Sequence, residues 1–220
     1  MMLPRKLLLF VLLISFLVTF LQLQVFQIAF SRLGLSPAGG LLLVMAALIG
    51  SVINIPVATI DSGYDPAAAP QLPGAGMFPM RPASGMPGKT VIAVNIGGCA
   101  VPVGMCLYQL LGHFVSLYTL LPALLVVTLV SRLASRPIHG VGVGMPVLLA
   151  PLVAVFMALL LDSGNPAPLA FCSGVLGVLV GADLLRLPDI RRMNVPFASI
   201  GGAGTFDGVF LTGIVAALLA

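Results

Sequence analysis

Residues 90–130 pass without a single Asp, Glu, Lys or Arg, and a run of that length is too apolar to be the surface of a water-soluble domain. The rest of the chain has the same character. Of its 220 residues 60% are hydrophobic and 7% charged, and both Trp and Glu are absent. A bilayer is the solvent that suits such a chain.

A membrane-spanning helix takes about 20 mainly apolar residues. Measured against that length, the sequence divides into seven segments, near 7–30, 39–60, 90–111, 114–130, 142–161, 167–185 and 197–219. The expected fold is an all-α polytopic transmembrane helix bundle, one integral membrane domain over residues 1–220. The break at Gly112-His113 is the least marked, so six spans is the alternative count.

A cytoplasmic N-terminus puts Arg5, Lys6, Arg81, Lys89, Arg132, Arg136, Arg186, Arg191 and Arg192 on one side and leaves Arg32 on the other, a positive-inside asymmetry. That predicts a multi-pass protein of the inner (plasma) membrane. The net charge of +4 reads as topology and contact with anionic headgroups, and no motif or basic patch points to nucleic acid. Residues 7–30 are longer than a signal-peptide core and no small-residue cleavage signal follows them, so they read as a retained span. Gln22, Gln24 and Gln27 near its outer end read as amides close to headgroup water. Cys99, Cys106 and Cys172 lie in apolar spans without a C-x-x-C spacing and read as small buried hydrophobes, with no metal or other cofactor implied.

Residues 61–89 are rich in Pro and Gly and lack helical or strand periodicity, which predicts a cytoplasmic loop. Asp61 and Asp65 suit caps or turns there. Asp162-Ser-Gly-Asn-Pro reads as a turn on the outer side, with Asn165-Pro166 starting the sixth span. Tyr108, Gln109 and His113 cluster near the outer end of the third.

An internal repeat organises the rest. Ile96-Gly-Gly-Cys-Ala-Val-Pro-Val-Gly-Met-Cys-Leu107 aligns without a gap on Ile200-Gly-Gly-Ala-Gly-Thr-Phe-Asp-Gly-Val-Phe-Leu211, with five of twelve positions identical. Pro37, Val44, Leu48 and Gly50 align with Pro168, Val175, Leu179 and Gly181. The expected arrangement is a parallel 3+1+3 repeat with the fourth span as linker, as in some small transporters.

Asp207 falls within the second copy, where the first has Val103. In a regular helix it lies some ten residues into the last span, roughly 15 Å deep, and an ionised carboxylate at that depth is costly unless it has a partner. Gly201, Gly202 and Gly204 beside it loosen the helix, and non-helical backbone is tolerated at membrane depth only where protein buries it or a wet cavity meets it. Asp183 stands three residues before Arg186, so it reads either as a site acid or as an interfacial i, i+3 ion pair. Asn54 and Asn95 fall in the same cytoplasmic halves of their spans. The candidate site is therefore Asp207, Asp183, Asn95 and Asn54 with Gly201, Gly202, Gly204 and Thr205.

Gly181-Ala-Asp-Leu-Leu and Ile200-Gly-Gly-Ala-Gly-Thr-Phe-Asp-Gly-Val-Phe-Leu-Thr-Gly213 resemble a family of small prokaryotic membrane proteins known only as a domain of unknown function, over most of the chain from about Gly34. That resemblance implies a membrane location and a role for Asp183 and Asp207, without a mechanism. Two aspartates on consecutive late spans, with Ala167-Pro168-Leu169, look more loosely like presenilin-type intramembrane aspartyl proteases. The sequence lacks the Gly-x-Gly-Asp and Pro-Ala-Leu orders of those enzymes, and its Tyr64-Asp65 lies in a loop.

Three functions fit this pattern. In the first, a small ion-coupled permease, Asp207 takes up a proton or cation while the two halves rock about the site. In the second, an intramembrane hydrolase, Asp183 and Asp207 share a proton and activate water. The third is a noncatalytic scaffold or assembly factor. The partners implied are the lipid bilayer, a small ion or polar solute, and a second copy of the chain.

Overall fold

The computed structural model describes residues 5–65, 87–202 and 208–220. They form mainly helices: α1 (Arg5–Arg32), α2 (Pro37–Ser51), α3 (Val101–Leu111), α4 (Leu117–Ala134), α5 (Leu149–Leu161), α6 (Pro166–Val178), the short α7 (Ile190–Met193) and α8 (Gly208–Leu219). A π-helical turn, Ile96–Ala100, leads into α3, and α6 runs on through a π turn, Leu179–Asp183, and a 3-10 segment, Leu184–Asp189. Five strands complete the described chain: β1 (Asn54–Asp61), β2 (Lys89–Asn95), β3 (Arg136–Ile138), β4 (Gly142–Gly144) and β5 (Phe197–Ile200).

Among the described residues, Leu117–Ala134 and Pro166–Met193 are each long and apolar enough to cross a bilayer, and a third span results if Gln24–Arg32 and Pro37–Ser51, which meet at 107°, are one. Three further apolar helices are shorter. The all-helical expectation is corrected in four places. The helix expected over 39–60 ends at Ser51, and Asn54–Asp61 is a strand. The one expected over 90–111 begins as β2. The one expected over 197–219 begins as β5, with helix from Gly208. Likewise β4 occupies the start of the expected 142–161 span.

The reason is local. Asn54–Asp61 reads Asn-Ile-Pro-Val-Ala-Thr-Ile-Asp and Lys89–Asn95 reads Lys-Thr-Val-Ile-Ala-Val-Asn, both rich in β-branched residues whose stiff χ1 favours extended backbone. Pro56 has no N–H to continue a helix and sits on the edge strand β1 beside a register shift, where a ladder bond is dispensable.

β1, β2 and β5 form a sheet in that order, β1 antiparallel and β2 parallel to its neighbour β5. Asp61 pairs with Lys89 across the ladder, and the Ser62 and Gly63 N–H groups donate to the Gly88 carbonyl at 2.9 and 3.0 Å. The expected 61–89 loop therefore closes as a hairpin, and its residues 66–86 lie outside the described part. The two copies of the Ile-Gly-Gly repeat differ locally, since Ile96, Gly97 and Gly98 open a π turn after β2 whereas Ile200 ends β5 and Gly201 and Gly202 turn at positive φ, but the two strands are neighbours in one sheet.

The core is shared by α4, α5, α6 and α8, with Phe171, Leu169, Val175, Phe210 and Ile214 at 2% exposure or less. α4 turns Leu117, Leu121, Leu125, Leu129 and Leu133 outward, all exposed. An apolar stripe of that size on a helix marks a surface that water does not cover. At the far end from the sheet, Arg32 Nη1 donates to the Leu218 carbonyl and Gln109 Nε2 to the Leu33 carbonyl, both at 2.9 Å.

Candidate functional site

At the end of the sheet where β2 and β5 run into the helices, polar groups converge. Asn95 closes β2, is fully buried, and uses its whole amide: Oδ1 accepts from the Gly98 N–H at 2.7 Å, and Nδ2 donates to the Ser51 carbonyl at 2.8 Å and to Asn54 Oδ1 at 3.1 Å. It caps the π turn as a short polar side chain caps a helix. Asn54 begins β1, and its Oδ1 also accepts from Ser199 Oγ at 2.7 Å. The two asparagines expected in separate helices are thus cross-strand partners in register.

Asp183 is the last residue of the second π turn, a form of helix that often marks function. Its Oδ2 accepts from the Gly201 N–H at 2.8 Å, and a carboxylate acceptor strengthens such a bond. Gly201 and Gly202 both hold φ at +82°, a left-handed turn that glycine adopts without strain. A Cβ on Gly201 would sit 2.7 Å from the Cys99 backbone N, so the second glycine pair packs directly on the first.

Arg186 pairs with an acid on its other side, Asp189, also at i, i+3. Arg186 Nη1 donates to Asp189 Oδ2 at 3.0 Å, Nε to Ser135 Oγ at 2.9 Å, and Nη2 to the Arg132 and Ser135 carbonyls. Its guanidinium thereby ties the 3-10 segment to the C-terminal end of α4, where orphan carbonyls and the helix dipole favour a cation.

A pocket of about 260 Å³ opens beside these groups, with Asp183, Arg186, Ser199 and Gly202 on its polar wall and Val143, Ile190 and Phe197 on its apolar wall. Arg186 is paired with Asp189, and Asp183 is the acid on this wall. A cavity of that volume has room for several water molecules. The structure brings together Asn54, Asn95, Asp183, Gly201 and Gly202, but Asn95 is sealed from the pocket by its own bonds. Gly204, Thr205 and Asp207 lie outside the described residues. No cluster of metal-ligand residues occurs among the described residues.

Sequence reading missed Ser199 and Asp189. Extending the repeat one residue upstream sets Ser199 opposite Asn95, which would have flagged it. Asp189 stands at the same i, i+3 spacing from Arg186 as Asp183.

Residues 48–219 match the family model described as protein of unknown function (DUF1614). No curated protein and no solved structure matches the chain, so the likeness to presenilin-type enzymes has no match behind it. The chain belongs to the DUF1614 family.

Proposed function

We propose that this member of the DUF1614 family is a small ion-coupled permease in which Asp183 receives a cation or proton from the Arg-rich side of the membrane and Asp207 is the second acid on its path. The observation that carries the reading is the Asp183 to Gly201 hydrogen bond of 2.8 Å on the wall of a roughly 260 Å³ pocket. It joins one acid to the Gly-rich run that ends in the other. Short helices support it too. The helix formed by the π turn and α3, Ile96–Leu111, and the described part of α8 are both shorter than a spanning helix. The first carries a Gly-Gly pair in its opening turn, and helices interrupted near a binding site are a transporter feature.

In this reading α1 to α6 and α8 are the seven crossings, and the sheet completes the short ones at the Arg-rich, cytoplasmic end.

The test uses the chain in sealed vesicles with an internal pH dye, challenged with gradients of Na⁺, K⁺, small amines and amino acids. A solute that moves protons is expected, with the initial rate falling more than roughly tenfold in Asp183→Asn and in Asp207→Asn, as for loss of an essential proton carrier. Unchanged flux in both variants, or no proton movement with any solute, would sink the permease.

The same hydrogen bond favours one alternative, an intramembrane hydrolase, because it draws the two acid-bearing segments together. Cleavage of a reconstituted membrane peptide that either Asn variant abolishes, without solute-driven flux, would establish that reading instead.

A further inference from the structure

We propose that the Arg-rich end of α4 binds the headgroup of an anionic phospholipid between Arg132 and Arg192. This rests on the membrane reading of the chain and is independent of the pocket at Asp183. The Asp189 carboxylate faces three guanidiniums, at 3.0 Å from Arg186, 3.7 Å from Arg132 and 3.8 Å from Arg192. The first distance is a hydrogen bond, whereas the other two exceed hydrogen-bond range and leave those forks only loosely held. One carboxylate against three guanidiniums leaves the cluster cationic.

Arg186 points inward, its side chain 13% exposed and its donors engaged by Asp189, Ser135 and the Arg132 carbonyl. Arg132 and Arg192 are the outward pair, with side chains 36% and 80% exposed. Two planar forks converging on one point, with charge to spare, suit a phosphodiester, whose paired anionic oxygens accept from guanidinium in a bidentate way.

The apolar side of the same helix selects a lipid over a free anion. Leu117, Leu121, Leu125, Leu129 and Leu133 are exposed at every fourth residue, each turned about 40° from the one before, so they form a continuous stripe that winds around the outside of α4. Arg132 lies one turn beyond Leu129, next to it on the helix surface. The stripe runs roughly 24 Å, enough to line an acyl chain through its own leaflet, and it ends at the arginine pair. A phospholipid at the arginine pair would set its acyl chain against the leucines, whereas a soluble anion would use the charges alone.

The full chain is reconstituted in phosphatidylcholine vesicles doped with phosphatidylglycerol, extracted in mild detergent and weighed by native mass spectrometry. Phosphatidylglycerol is expected to stay bound in preference to phosphatidylcholine. The Arg132→Gln, Arg192→Gln double variant is expected to lose that retention by roughly thirtyfold, about fivefold for each arginine at a membrane surface. Arg191→Gln, whose Nε donates to the Asp61 carbonyl at 3.3 Å instead, is expected to stay within about twofold of wild type. The Arg132→Lys, Arg192→Lys variant keeps the charges and guards against misfolding, and should retain more lipid than the Gln variant. Equal retention of both lipids, an Arg191→Gln loss as large as the double variant's, or displacement by inorganic phosphate would overturn the assignment. A chain that fails to float with vesicles would overturn the membrane reading and this site with it, whereas a silent flux assay would leave this site standing.

Discussion

Asn95 commits its amide to three partners with no exposure to solvent, so its loss should be felt in stability and not in solute handling. Asn95→Ala strips the cap from Gly98 and leaves the Ser51 carbonyl short of a donor, which predicts a loss of about 1–3 kcal/mol. Thermal unfolding in detergent, followed by circular dichroism, checks this; a change below about 0.5 kcal/mol would contradict the account of Asn95 as a structural lock. Asp183 predicts the opposite division. Asp183→Asn keeps an oxygen for the Gly201 N–H, so it should cost about 1 kcal/mol or less in stability while removing the charge that the permease needs. Gly201→Ala should be severe on both counts, since it forces a side chain to φ +82° with its Cβ 2.7 Å from Cys99 N, a penalty of about 2 kcal/mol or more. The polar residue types were legible in the sequence. Their pairing was not, because Asn54 and Asn95 meet only through a strand register that an all-helical reading does not contain.

At the scale of elements, hydropathy identified α1, α4 and α6 well, because long apolar runs with helix-forming residues leave little choice. It failed at 54–61, 89–95 and 197–200, where apolar content is equally high but the residues are β-branched or follow Pro, and a hydropathy window is blind to that difference. The Ile-Gly-Gly repeat marks two segments whose flanking strands, β2 and β5, are neighbours, although one copy forms a π turn and the other a positive-φ turn. The link between α4 and the segment after α6 depends on one guanidinium. Arg186→Met should destabilise the fold by about 2 kcal/mol, since it removes the hydrogen bonds to Ser135 and the α4 carbonyls and leaves Asp189 only its looser contacts with Arg132 and Arg192. Arg186→Lys should rescue little of this, because one ammonium cannot reach Asp189, Ser135 and Arg132 together as the planar fork does. Denaturant titration of both variants measures the gap, and full rescue by Lys would show the fork to be dispensable.

For the whole molecule, charge and apolar surface divide as a membrane protein's do. Arg132, Arg136, Arg186, Arg191, Arg192 and Lys89 lie at the sheet end, and Arg32 is bound to the Leu218 carbonyl at the other. Among the described residues two helices, or three if the bent pair is one span, are long and apolar enough to cross, and the seven-pass arrangement is the finer proposal. Reporter fusions at Gly34, Ser116 and Gly164 should all report the outer side, with a fusion at Gly140 reporting the cytoplasm. A split among the first three would refute seven crossings.

The central claim is that Asp183 serves a water-filled solute site reached from the Arg-rich face, and Ser199→Cys offers the most direct probe of it. In a chain with Cys99, Cys106 and Cys172 replaced by Ala, a membrane-impermeant maleimide is applied to vesicles that expose one face or the other. The account predicts modification from the Arg-rich face, slowed severalfold by the solute that drives proton flux, with that protection lost in Asp183→Asn. Modification only from the opposite face, or protection that survives Asp183→Asn, would contradict it.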